Sequence, residues 1–555
     1  MFNTIRLVRN TIIVCALSIV GLPVFSQKDT TRKQAIEITS SYKPVLRNSA
    51  KINFSANHLV GDTAKFVGPY NIPALNLFYI YQPVSLKPLA LMQDTALELG
   101  LRNFLKIGAG NYSTPYASAG FSFGDGKVSL VNLYADYVSS KGKIENQDYA
   151  RLNIKGAGSY FTPRNEIYGS VGISQQDYYL YGYDHLMHNY SKQDVLQRFQ
   201  DISVKAGFRN RDSTETGINY NPSIQSNIFT NQDKLSESSL LLDVPVEKTF
   251  DDVFSIKVQV GADITSYTSK DLPVNVKLNN NIFQIAPELI YSKPSLSIHG
   301  GITPAWDNGK FSILPNIYGE AQLPGRSFLV QGGFVGRFIK NSYRNLSEIN
   351  PYLQTVSSQL NTKETELYGG IKASVGKHFN FSAKAGLIRY ENLPFFINDT
   401  ASDSDSKAFL ISNESRVDDF RIHGDMSFIS QDKFTITGGL TFNGYTNMKD
   451  NDKAWGTIPL EITASMRWWA FKHVMLKSDF RTFSGGPYLL KDNINGTLSG
   501  AVDLSAGLEF AINKKFSAWV DVNNIFNNKY ERWHNYQVYG LNILGGGDCE
   551  ILIFV

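Results

Sequence analysis

Val253-Phe254-Ser255-Ile256-Lys257-Val258-Gln259-Val260-Gly261-Ala262-Asp263-Ile264-Thr265 decides the fold class. Phe254, Ile256, Val258, Val260, Ala262 and Ile264 share one parity. Ser255, Lys257, Gln259, Gly261, Asp263 and Thr265 share the other. A β-strand sends successive side chains to opposite faces, so one face here is apolar and the other polar and charged. The run lasts about eleven residues, the length a tilted strand needs to cross a bilayer core. Soluble sandwich strands alternate too, but they average about six residues. Length therefore puts Phe254, Ile256, Val258 and Val260 against lipid, and Lys257, Gln259 and Asp263 on the wall of a lumen.

The same alternation recurs from about residue 101 onward. Phe379, Phe381, Ala383, Ala385 and Leu387 interleave with Asn380, Ser382, Lys384 and Gly386. Phe516, Ala518, Val520 and Val522 interleave with Ser517, Asp521 and Asn523. Phe379, Phe381, Phe516 and Val520 are thus predicted to face lipid, and Lys384 and Asp521 to face the lumen. Short polar turns punctuate the pattern at Asp125-Gly126, Pro163-Arg164, Arg211-Asp212, Asp251-Asp252, Lys293-Pro294, Gly325-Arg326, Gly376-Lys377, Gln431-Asp432, Phe471-Lys472 and Asn513-Lys514. Longer polar stretches lie between them, the largest at residues 184–200, 341–363 and 392–416. Outer-membrane barrels have short periplasmic turns and long outer loops. Ten short turns with both sheet ends on the periplasmic side imply eleven hairpins. The expectation is an all-β chain forming a large antiparallel transmembrane β-barrel of roughly 22 strands, within a range of about 18–22.

Composition agrees with this reading. The 555 residues include 29 Tyr, 35 Phe and 44 Gly but only 2 Cys, and 19% are charged. Mean hydropathy is −0.20, and no stretch reaches the ~18 apolar residues of a spanning helix. A net charge of +4 without a long basic run gives nucleic acid nothing to bind.

Residues 1–26 read as a signal peptide. Arg6 and Arg9 form the basic region, residues 11–20 the apolar region, and Val24-Phe25-Ser26 the cleavage site before Gln27. Cys15 sits inside the apolar region, so cleavage removes it and leaves Cys549 as a lone thiol. Residues 27–100 differ from the alternating region after them. They carry Pro44, Pro69, Pro73, Pro83 and Pro88, which remove ladder donors and favour extended or irregular chain. This segment is expected in the periplasm or lumen, and the barrel over 101–555. Phe78, Tyr79, Ile80 and Tyr81 need burial, so part of the segment is expected to enter or cap the periplasmic mouth.

Near the C-terminus, Val522-Asn523-Asn524-Ile525-Phe526-Asn527-Asn528-Lys529-Tyr530 resembles the penultimate-strand ending of TonB-dependent outer-membrane receptors, and Tyr539-Gly540-Leu541 resembles the start of their last strand. The cleavage site and general style of the chain are similar to Bacteroidetes outer-membrane proteins. The resemblance implies a 22-stranded barrel in the outer membrane of a Gram-negative, Bacteroidetes-like bacterium, with transport as its work and a TonB-type energiser as partner. Ile36-Glu37-Ile38-Thr39 is the candidate contact for such a partner, by strand addition; the plainer reading of the same residues is a periplasmic tether. Two features depart from the family. Residues 27–100 are too few for a full plug domain. The chain also ends with Phe554 penultimate, after an acidic cluster at Asp548 and Glu550 that is expected to interrupt the last strand.

Other constellations carry less. His185 and His188 could ligate a metal from an outer loop. Asp399, Asp403 and Asp405 could hold calcium weakly, without the glycine and terminal glutamate of an EF-hand. In both cases a solvated loop is the plainer reading, and no cofactor is expected. Tyr178, Tyr179, Tyr181 and Tyr183, like Trp468 and Trp469, are predicted at the membrane interface, where amphipathic rings sit at headgroup level; the Tyr run could also stack on carbohydrate. A barrel hydrolase would need Ser, His and an orienting group together at one rim. His299, His378, His423 and His473 are scattered, with no partner that the sequence identifies, so an enzyme is not expected. The leading expectation is passage of solutes or larger molecules through the barrel. The alternative is a non-conducting scaffold that binds lipoprotein partners in an assembly or secretion complex.

Overall fold

A computed structural model describes residues 103–551, apart from 213, 215, 233–234, 252, 271–274, 324–327, 376–377, 400, 402–404 and 431–432. The signal peptide, residues 27–100, the Ile36-Glu37-Ile38-Thr39 contact and Asp403 lie outside the described residues.

A single antiparallel sheet closes on itself. It contains 23 strand segments. Ile218–Tyr220 and Ser223–Asn231 both pair with Leu235–Thr249 and so fill one place in the wall, which gives 22 wall strands. The two segments part at Asn221-Pro222, opposite Val244-Pro245. Pro222 and Pro245 come together there, and neither has an N–H to give the ladder. Closure joins the first strand, Phe104–Gly110, to the last, Asn542–Glu550, over seven register pairs from Phe104–Glu550 to Gly110–Leu544. The last strand runs straight through Asp548 and Glu550, which corrects the expected interruption. Alternation explains why: Asp548 points inward, among the charges of Lys106 and Glu509. Cys549 points the other way, between its register partners Leu105 and Phe516.

Seven of the ten short turns expected from the sequence, that at Asp251 among them, join consecutive wall strands at one end of the barrel; Gly325-Arg326, Gly376-Lys377 and Gln431-Asp432 lie outside the described residues. The longer connections lie at the other end, and both ends of the sheet lie with the short turns. Cys549 is the only cysteine among the described residues and is free. Cys549→Ser is therefore expected to fold to wild-type yield. Non-reducing electrophoresis checks this, and a disulfide-linked species that disappears in the variant would contradict it.

Alternation in the wall follows the residue pattern of the opening stretch. In Phe254–Ser269, Phe254, Ile256, Val258, Val260 and Ile264 are exposed, while the intervening polar residues are half-buried or buried. Near the long-loop end the inner face changes character. Tyr267, Ile388 and Tyr390 point inward and are buried, whereas Arg389 is exposed and pairs with Asp418 at 2.8 Å. The strands thus outrun the apolar belt, and beyond it the interior, not the exterior, is apolar.

Candidate functional site

The inward apolar residues meet the long loops, and together they roof the mouth. Strands about 4.8 Å apart and tilted about 40° make a 22-strand ring roughly 40 Å across. Loops rooted far apart on it meet only by extending inward from the rim. Four connections share one buried cluster. The connection after Asn165–Tyr179 carries Tyr181 and Tyr183. The one after Phe328–Ile339 contains the short helix Tyr343–Ile349 and then Tyr352 and Leu353. The one after Phe379–Glu391 forms the hairpin Leu393–Asn398 with Phe409–Glu414. The one after Phe516–Asn523 carries Trp533 and Tyr536. From these loops Tyr181, Tyr183, Tyr343, Leu346, Tyr352, Leu353, Phe396, Phe409, Trp533 and Tyr536 are buried in one cluster with Tyr178, Phe199, Phe229 and Tyr267 of the wall. Tyr352 stacks on Tyr536 with centroids 3.6 Å apart, and Tyr181 meets Tyr536 edge-on at 4.8 Å. Trp533 packs against Phe396 and Phe409 at 5.3 and 5.4 Å.

Polar bonds lock the same loops. The Tyr190 hydroxyl donates to Asp405 Oδ2 at 2.7 Å, linking loops rooted ten strands apart, almost across the ring. Tyr181 donates to the Gln537 carbonyl at 2.8 Å, and Gln354 donates to Asp399 at 2.9 Å. Glu237 of the wall accepts the Tyr343 N–H at 2.7 Å, the Arg344 N–H at 3.2 Å and the Gln359 amide at 3.0 Å. Arg344 pairs with Asp201 at 3.0 Å, and Lys340 with Asp263 at 2.9 Å. Burial pushes the Asp405 carboxyl up, but hydrogen bonds from Lys407 and Tyr190 outweigh it and hold the group below its ordinary value of 3.8. The stabilisation that Asp405 gives the roof is therefore present above that value and is lost as pH falls through the lowered one.

Below the roof the wall is lined by charges that pair among themselves. Arg151 meets Asp136 at 3.4 Å, Arg209 meets Glu166 at 2.7 Å, Lys384 meets Glu366 at 2.7 Å and Arg481 meets Glu461 at 2.6 Å. Half-buried charges left without such partners would be costly.

Each expected residue has a definite place. Lys257 faces its register partner Glu288, and Gln259 donates to Asp243 at 2.7 Å. Asp521 faces the ammonium groups of Lys477 and Lys106. Lys257, Gln259 and Asp263 share a strand, while Lys384 and Asp521 stand on distant strands, so the five do not converge. Phe516 and Val520 are exposed, whereas Phe379 and Phe381 are half-buried. His185 touches the Tyr181 carbonyl at 3.1 Å, and His188 stacks against Tyr190 at 5.9 Å. Asp399 and Asp405 serve the roof bonds already described. No group of three or more metal-ligating side chains occurs among the described residues.

The Tyr run is the main correction. Tyr178, Tyr181 and Tyr183 are buried in the roof rather than set at the membrane interface. Only Tyr179 is half-buried, under the Lys192 ammonium at 5.0 Å. Trp468 and Trp469 are 43% and 41% exposed beside the short turn at Phe471, where interfacial rings belong. Tyr343, Tyr352, Phe409, Trp533 and Tyr536 were not singled out in the sequence. Their signal was large aromatics inside stretches otherwise rich in Asn, Ser and Asp.

The architecture is a closed 22-strand antiparallel barrel with short turns at one end and long folded loops at the other, and its fold matches TonB-dependent-receptor-like folds. Among solved structures the chain is similar to the FrpB iron transporter of Neisseria meningitidis, with TM-score 0.62, 9% identity and coverage of 81% of each chain. It is similar to FpvAI in its complex with pyocin S2, with TM-score 0.61, 11% identity, and coverage of 81% of this chain and 73% of that one. A ferric enterobactin receptor of Pseudomonas aeruginosa matches with TM-score 0.58, 12% identity, and coverage of 81% and 80%. No protein-family model and no curated protein matches the sequence.

Proposed function

We propose that this chain forms a gated passage across the outer membrane, with the aromatic roof as its gate. The observation that carries this is the meeting of loops rooted ten and eight strands apart on the 22-strand ring, at Tyr190–Asp405 and Tyr352–Tyr536, over a wide polar lumen. A roof built from loops, rather than from wall strands, can part without breaking the barrel ladder. Solutes, or a larger substrate, pass when it does. The polar wall residues Lys257, Gln259, Asp263, Lys384 and Asp521 line the path. An N-terminal signal peptide delivers the chain, and a TonB-type energiser acting at Ile36-Glu37-Ile38-Thr39 supplies the work of opening.

Planar-bilayer conductance tests the reading. The wild-type chain is expected to be nearly silent. The double variant Tyr352→Ala/Tyr536→Ala removes the central stack, and each truncation costs about 3–5 kcal/mol of roof packing. Its conductance is expected to rise about tenfold or more, as befits a wide lumen. The same double variant without residues 31–88 separates the roof from any N-terminal contribution. If both stay silent, the gated-passage reading fails and the scaffold reading replaces it, to be checked by co-purification of a lipoprotein.

A further inference from the structure

Ser297, His299 and Glu288 lie on adjacent wall strands close to a short turn. In Leu296–Asp307, Ser297 and His299 are two positions apart and so share the inner face, while Ile298 between them is exposed on the outside. Ser297 Oγ stands 3.1 Å from His299 Nε2. His299 Nδ1 stands 2.5 Å from Glu288 Oε1 on the neighbouring strand Val276–Lys293. Glu288 is buried and is held in turn by the Asn316 amide at 3.1 Å and the Tyr318 hydroxyl at 3.2 Å. The Tyr318 ring lies flat on the imidazole, with centroids 4.3 Å apart and planes 10° apart. These partners assign the tautomer: Nδ1 carries the hydrogen toward Glu288, and Nε2 is free to accept the Ser297 hydrogen.

We propose that Ser297, His299 and Glu288 form a nucleophilic triad that hydrolyses small, neutral, water-soluble carboxylic esters at the short-turn mouth. Triads are recognised by geometry and roles rather than by sequence order. A nucleophile, a base and a buried orienter are all in place, and the orienter is itself fixed by two further groups. As Ser297 Oγ bonds to the acyl carbon, His299 Nε2 takes its proton. The C–O bond to the leaving group then breaks, and the imidazolium returns the proton to the departing oxygen, releasing an alcohol or phenol. Water attacks the acyl-serine, gives a proton to His299, and the acid leaves as Ser297 regains its hydroxyl.

The surroundings narrow the substrate. Glu320 is the register partner of Ser297 on one side and is ion-paired with Lys372, so the Lys372 ammonium is not free to hold an anionic ester. Ser297 stands in ladders to Ser292 and Glu320, which commit the neighbouring strand amides. Each absent oxyanion donor forgoes about 10²–10³ in rate. The site therefore suits esters with phenol-like leaving groups, turned over slowly. A second lumenal chain supplies a contrast. Thr441 Oγ1 lies 2.9 Å from His423 Nδ1, and His423 Nε2 lies 2.8 Å from Asp425. Its hydroxyl is secondary and its carboxylate is 41% exposed, so it lacks a buried orienter.

The test uses the full chain folded in detergent micelles and does not depend on the gate. A fluorophosphonate probe is expected to label Ser297, located by peptide mass mapping, and p-nitrophenyl acetate to be hydrolysed above the micelle background. Ser297→Ala is expected to abolish both. His299→Gln and Glu288→Gln are expected to slow labelling about tenfold or more, and Thr441→Ala to leave it unchanged. Heat-modifiable gel migration shows that each variant is folded. A folded wild-type chain that leaves Ser297 unlabelled, or labelling indifferent to His299→Gln, overturns the triad. Labelling without ester turnover overturns the hydrolytic activity.

Discussion

Arginine at Val258 is expected to destabilise the folded barrel by about 2–4 kcal/mol, and arginine at Gln259 by far less. Val258 lies at the middle of the exposed apolar set Phe254, Ile256, Val258, Val260 and Ile264. Its register partners are Pro287 and Val246, and Val246 is also exposed. A guanidinium there meets only apolar neighbours and lipid. Gln259, one residue on, faces inward and already donates to Asp243 at 2.7 Å. Arginine at that position finds the Asp243 carboxylate waiting. Urea titration of the two variants in phospholipid vesicles measures the difference directly. Equal losses at the two positions would show that the wall is turned inside out or that the lipid belt lies elsewhere on the strand.

The wall was legible because its physics is local. Period-two alternation over ten or more residues needs only a strand with two different solvents on its two faces, and Phe254 to Ile264 states that unaided. The short turns were legible for a related reason: a tight reversal favours Gly, Pro, Asp or Asn at the reversal itself, and nine of the ten carry one, Phe471-Lys472 being the exception. The roof was hidden because its burial is non-local. Tyr181 is covered by Tyr352 and Tyr536, 171 and 355 residues further along the chain. Nothing in the flanking Asn, Ser and Asp residues announces those partners. A partial signal did exist. At Ile388 and Tyr390 the apolar residues switch parity relative to Leu387, and at Tyr267 an aromatic appears on the polar face of its strand. A parity switch at the end of a membrane strand marks the point where the inner face becomes the apolar one. Ser297 and His299 were two apart and on one face in the sequence as well. Glu288, the group that orients the imidazole, became visible only through the strand register.

The seam that closes the ring is expected to be the least forgiving part of the molecule, and Gly546→Val should prevent it from forming. Gly546 lies opposite Gly108 on the first strand and Trp519 on the penultimate one. A Cβ at Gly546 would stand 1.9 Å from the Ile107 carbonyl oxygen and 2.6 Å from the Gly108 Cα. Both are backbone atoms of the closing ladder, so no side-chain rotation relieves the contact. Overpacking a core that can shift costs about 1–3 kcal/mol. Here the only available shift separates the two strands. An open seam leaves N–H and C=O groups of both strands unpaired in hydrocarbon, at several kcal/mol each. Gly547, its immediate neighbour, is the control, because a Cβ there would meet nothing nearer than the Ser517 carbonyl oxygen at 3.8 Å. Gly547→Ala is therefore expected to fold like the wild type, while Gly546→Val loses the compact, heat-modifiable band on a semi-native gel. Full recovery of that band by Gly546→Val would mean that the first and last strands do not meet in the register of Gly108 with Gly546.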